Sequence, residues 1–138
     1  MSMMMFVNLP VADLGRATAF YSALGYSVNP QFTDDTAACI VIDDGHLYVM
    51  LLTHDSWARF SSKTIVDSAT SSEVILAISA DDRAGVDALA DTALASGGSY
   101  SYEAQDMGFM YSRSFQDPDG HLWEVMYMDM SALPEQMP

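Results

Sequence analysis

Residues 115–128 read FQDPDGHLWEVMYM, and the fold turns on how this stretch is parsed. Asp117-Pro118-Asp119-Gly120 has the chemistry of a tight turn: Pro presets φ, Asp closes a turn onto its own backbone, and Gly accepts positive φ. The residues behind it are rich in β-formers, with one carboxylate, Glu124, among apolar neighbours. Burying a carboxylate is costly, so Glu124 marks a position with a task. A strand over 109–115 completes a hairpin. With four loop residues, Gln116 pairs with His121 and Arg113 falls directly opposite Glu124, Cβ atoms about 5 Å apart. This register predicts a charged pair on one sheet face, either lining a pocket or bracing the sheet, with Tyr111 facing the same way.

Working outward, the chain divides into two similar halves. Residues 6–11 alternate as a strand, and Asp13 caps a helix whose apolar positions Leu14, Ala17, Phe20, Tyr21 and Leu24 recur at helical spacing before Gly25. Strands follow at 26–32, 38–42 and 47–52, the last two joined by Asp43-Asp44-Gly45. After a polar connection, a strand at 74–80 leads to Asp81-Asp82, a helix carrying Val86, Leu89, Ala90, Ala93 and Leu94, and a Gly97-Gly98 stop. Strands at 99–104, 109–115 and 122–128 complete the second half. The two helix caps lie 68 or 69 residues apart. Two such units are too few to stack as a solenoid, but they can pair their sheets around a cleft. The expected class is α+β: one domain of two βαβββ modules at about 5–53 and 73–129, a connection at 54–72 and an exposed tail over 130–138.

Length and composition narrow the function. At 138 residues the chain holds one sizeable core, and half the residues are hydrophobic, which excludes disorder. No apolar run reaches the roughly 18 residues of a membrane helix, and the opening MSMMMF lacks the basic region of a secretory leader. A lone cysteine, Cys39, forms no internal disulfide and fits a reducing cytoplasm; its apolar surroundings make it a small core residue. Nineteen acids against five Lys and Arg give a net charge of −14, which repels a phosphate backbone and argues against nucleic acid. That charge serves solubility or attracts a cationic ligand.

The segments FVNLPVADL (6–14), AFYSALGY (19–26) and DPDGHLWE (117–124) resemble the vicinal oxygen chelate superfamily, the glyoxalase, bleomycin-resistance and extradiol-dioxygenase fold, over about residues 5–129. MLLTH (50–54), EVILAIS (73–79) and YSRSFQDPDGHLWEV (111–125) are similar to a bacterial subgroup described as predicted lactoylglutathione lyases. The resemblance implies a cup between the paired sheets, a homodimer, and a small-molecule ligand. In enzymes of the superfamily a divalent metal is held by His, Gln or Glu on the first and last strand of each module. Those positions fall here on Phe6, Leu51, Ile75 (or Val74) and Glu124. One carboxylate among apolar side chains does not make a divalent-metal site, so no cofactor is expected. Glu73 is a weak second ligand, and His46, His54 and His121, near strand ends or turns, read as solvent-edge residues.

Alternation along the first strand turns Val7, Leu9 and Val11 toward the helix and Phe6 and Asn8 toward the pocket. The expected ligand-binding residues are Phe6, Asn8, Leu51, Ile75, Tyr111 and Arg113, with Glu124 as a catalytic base. Two functions fit. One is a lyase or isomerase that moves a proton through Glu124 while Arg113 or Asn8 steadies a developing enolate. The other is a binder without chemistry, of the bleomycin-resistance type, holding a cationic drug or a metabolite.

Overall fold

A computed structural model describes residues 3–134, and they fall into two compact units that divide between Ser71 and Ser72. The last four residues of the expected tail lie outside the described range. In the first unit β1 (Met5–Val11) leads into α1 (Leu14–Ala23), which starts where the Asp13 carboxylate accepts the Arg16 N–H (3.0 Å). The helix ends at Gly25, whose φ of 100° is open to glycine at little cost. Strands β2 (Ser27–Asn29), β3 (Ala37–Asp43) and β4 (Leu47–Thr53) complete a mixed sheet in the order β1-β4-β3-β2, with β1 parallel to β4. Leu9, Val11, Ile40, Val49 and Leu51 pack with Ala17, Phe20 and Tyr21 of α1 as the core of this unit. The short α2 (His54–Trp57) follows, capped by the Thr53 hydroxyl.

The second unit repeats the plan. Strand β5 (Ile75–Ser79) is followed by α3 (Arg83–Ala95), capped by the Asp82 carboxylate on the Gly85 N–H (2.7 Å). Then come β6 (Ser99–Tyr100), β7 (Gln105–Asp106), β8 (Met110–Gln116) and β9 (Leu122–Met128), in the order β5-β9-β8-β6 with β7 also on β8. Val86, Ala90 and Ala93 bury one stripe of α3 against Phe115, Trp123 and Val125. The fold is therefore α+β with two mixed βαβββ-type sheets, as expected. No helix among the described residues is long and apolar enough to cross a membrane.

Two expected strands are shorter. Residues 26–32 pair only over Ser27–Asn29, because Pro30 has no N–H for the ladder and opens a 3-10 turn capped by the Asn29 side chain. Residues 99–104 pair only at Ser99–Tyr100, since the Ser114 hydroxyl accepts the Tyr102 N–H (2.9 Å) and donates to the Tyr102 carbonyl (3.1 Å) in place of a strand.

The hairpin at 115–128 has five loop residues, not four. Asp117 is 2 % exposed, and its Oδ1 accepts the N–H groups of Asp119 (3.0 Å) and His121 (2.9 Å). Its own N–H donates to the His121 carbonyl (3.0 Å), which holds His121 in the loop. Gln116 accordingly pairs with Leu122, and Ser114, not Arg113, stands opposite Glu124. Asp117→Ala removes two charge-assisted bonds and should lower stability by about 2–4 kcal/mol, with Asp117→Asn retaining most of it because its amide oxygen still accepts. Urea midpoints check this; equal midpoints for the native chain and the alanine variant would refute the role of the carboxylate.

Candidate functional site

The open face of the second sheet, away from α3, floors a cavity of about 460 Å³. Ile75, Ser112, Ser114, Leu122 and Glu124 form the floor, and the segment 101–107 forms a wall with Tyr102, Glu103 and Met107. Size and mixed lining suit a small organic molecule. Strand β9 aims Glu124 at the cavity by alternation, with Ala77 of β5 and Ser114 of β8 beside it. Its carboxylate is half-buried and makes no hydrogen bond or ion pair among the described residues.

The site residues expected from the sequence separate into groups. Ile75 (60 % exposed) and Glu124 share the cavity; Val74 and Glu73 are exposed and precede β5. Phe6 and Asn8 lie on the open face of the first sheet, where the Phe6 ring stacks on Tyr48 with centroids 4.7 Å apart. Leu51 does not join them. It is 0 % exposed and pairs with Leu9 and Ala38, on the face packed against α1. A bulge between Val41 and Asp43 offsets the β3–β4 hairpin by one residue, so Tyr48 and Met50 take the open face instead. His46 and His54 are exposed at the ends of β4, and His121 sits in the Asp117 loop.

Arg113 and Tyr111 are also corrected. The one-residue shift turns both to the helix side of the second sheet, where Arg113 Nη1 donates to Asp91 (2.8 Å) and Asp87 (3.1 Å) and the Tyr111 hydroxyl donates to Asp87 (2.6 Å). The Tyr111 hydroxyl, followed by Arg113, holds the Asp87 carboxyl below its ordinary range, and the bond to Asp91 raises Arg113. Arg83 lies over the Tyr111 ring (5.0 Å to the centroid) and forms a two-pronged pair with Asp106 (2.8 and 3.0 Å). The residues missed from the sequence are those of the wall: 101–107 read as strand and loop, and nothing local announces a cavity.

These folds match solved structures across most of the chain. A hypothetical protein from S. aureus is 25 % identical, covering 92 % of this chain and 94 % of its own, with a TM-score of 0.76. A glyoxalase/bleomycin resistance protein/dioxygenase family enzyme from Burkholderia phytofirmans is 18 % identical over 89 % and 96 %, TM-score 0.73. A lactoylglutathione lyase from Agrobacterium tumefaciens is 20 % identical over 96 % and 98 %, TM-score 0.66. The family model for the bleomycin resistance protein-like N-terminal region matches residues 3–45. The chain therefore shares the glyoxalase/bleomycin resistance/dioxygenase fold, and its residues 3–45 carry the match to the bleomycin resistance protein-like model. No curated protein matches it.

A divalent metal of the kind that the sequence resemblance implies needs several converging oxygen or nitrogen donors. Glu124 has Ala77 and Ser114 as strand neighbours, Asn8 has Met50, and among the described residues no three His, Cys, Asp or Glu side chains converge. That donor set does not fit a divalent ion.

Asp106 anchors the cavity wall to α3, and the Arg83 bond, helped by the Gly108 N–H, lowers its pKa to about 2. A folded-state value below the unfolded one makes the contribution complete above the unfolded pKa of about 4 and lost as pH falls toward 2. The stability difference between the native chain and Asp106→Asn should therefore shrink from pH 5 to pH 2 in urea titrations. A difference constant over that window would refute the assignment.

Proposed function

We propose that this chain binds a small organic cation with an apolar or aromatic body in the cavity of the second module, as a metabolite- or drug-capturing protein. The observation that carries the reading is the charge of the cavity. Glu103 and Glu124 line it, and among the described residues no Lys, Arg or His does. An unpaired carboxylate facing apolar walls attracts a cation whose body displaces water from Met107, Leu122 and Ile75. The exposed Tyr102 ring offers a π-face to the same charge.

A second reading keeps one specific support. Glu124 has no partner among the described residues to hold its proton-accepting oxygens, which suits a general base acting beside a carbonyl, as in a lyase or isomerase. Arg113 does not face the cavity, so an enolate formed there would lack that electrophile.

Calorimetric titration with a planar organic cation such as ethidium, against an uncharged analogue of the same shape, separates these. The cation should bind at least about tenfold tighter than the neutral compound, and Glu124→Gln should remove about 1.4 kcal/mol of that preference. Equal binding of the two compounds would refute the capture reading. Conversion of a bound carbonyl compound by the native chain but not by Glu124→Gln would favour the base.

A further inference from the structure

Four of the eleven methionines gather at one end of the open face of the second sheet. Met110 and Met128 are direct cross-strand partners on β8 and β9. Met107 closes the β7–β8 hairpin by donating its N–H to the Met110 carbonyl (2.8 Å), and both side chains line the cavity. Met126 lies two residues before Met128, in register with Ser112, and so takes the same face. Met110 and Met128 as direct partners stand about 5 Å apart at Cβ, and Met110 and Met126 as diagonal ones about 7–8 Å. Met107, across β8 from β9, lies about 10 Å from Met128. Unbranched side chains with three rotatable bonds, reaching toward one another, can close these spans.

We propose that Met107, Met110, Met126 and Met128 form a thioether site for a soft monovalent metal ion, Cu(I), which Ag(I) mimics without redox chemistry. This site shares Met107 and Met110 with the organic-cation cavity but does not rest on that reading. Residue choice supports it. An apolar strand surface is better served by Val, Ile or aromatic side chains, and Met gives up more rotamer freedom when ordered. Nearer the Asp117 turn the same face uses Ile75 and Leu122. Thioether sulfur is a soft donor, which selects Cu(I) and Ag(I) over the divalent ions that the carboxylate-poor site rejects. Neutral donors leave the ion's charge in place, and a chain of net charge −14 with Glu103 and Glu124 on the same cavity lowers the cost of its entry.

The test is an anaerobic titration of the full chain with Ag(I), and with Cu(I) against a colorimetric Cu(I) chelator, following the methionine ε-methyl resonances. The first equivalent should shift the methyls of Met107, Met110, Met126 and Met128, and Zn(II) should not displace it. Met110→Leu/Met128→Leu should weaken the first equivalent by more than the roughly 10–100-fold that loss of an outer-shell partner costs. Replacing Met3, Met4 and Met5 by Leu should leave it intact. If the double variant does not fold, Met107→Leu at a position 47 % exposed gives the same reading. Shifts confined to Met3–Met5, displacement by Zn(II), or unchanged affinity in the leucine variants would overturn the proposal.

Discussion

The carboxylate of Asp117 decides which way every side chain of β8 and β9 points. Buried in its loop, it takes the N–H groups of Asp119 and His121, and its backbone closes on the His121 carbonyl. That adds one residue to the loop, and in a strand one residue is a change of face. Glu124 then meets Ser114 and Ala77 on the open side, while Arg113 goes to the acids of α3. A four-residue loop would have placed an arginine beside Glu124 and neutralised the cavity. The sign of the site's charge thus follows from a turn that does not line it.

The first module makes the same point with the opposite outcome. Both hairpins carry Gly-His-Leu followed by an aromatic residue, Gly45–Tyr48 and Gly120–Trp123. Tyr48 stacks on Phe6 on the open face, with its hydroxyl accepting the Gly45 N–H (2.7 Å). Trp123 instead lies parallel to Phe115 in the core beneath α3. The bulge between Val41 and Asp43 is the difference. Matching motif to motif therefore transfers residue type but not facing, and Leu51 shows the result.

What was legible in the sequence is what local chemistry determines. Asp13 and Asp82 cap helices, Gly25 and Gly97 end them at positive φ, and the 68–69-residue spacing announces the duplication. Glu124 stood out because a carboxylate in an apolar strand has no local reason to be there. Register was not legible, because a buried Asp117 and a bulge each displace pairing by one residue while leaving composition unchanged. The cavity wall was hidden for a related reason. At Tyr102 its backbone N–H and carbonyl are satisfied by the Ser114 hydroxyl, not by a ladder, so 101–104 has strand-like residues without strand pairing.

The charged cluster on the helix side is better understood through direction than through stability. Arg83, Asp87, Asp91 and Asp106 are exposed while Arg113 is mostly buried, and ion pairs to exposed carboxylates contribute little to folding free energy. Their geometric effect is larger. Two of the five basic residues are held against α3 and the β7 strand, and the Arg83–Asp106 pair fixes the strand that carries Gln105 into the cavity wall. A chain with so few cations could neutralise Glu103 and Glu124 only by redirecting one of them. The acids of α3 bind Arg113 two-to-one, so moving it to the open face would leave Asp87 and Asp91 facing each other one turn apart on the helix without the cation that bridges them. The negative cavity and the charge-paired helix face are therefore two sides of one arrangement.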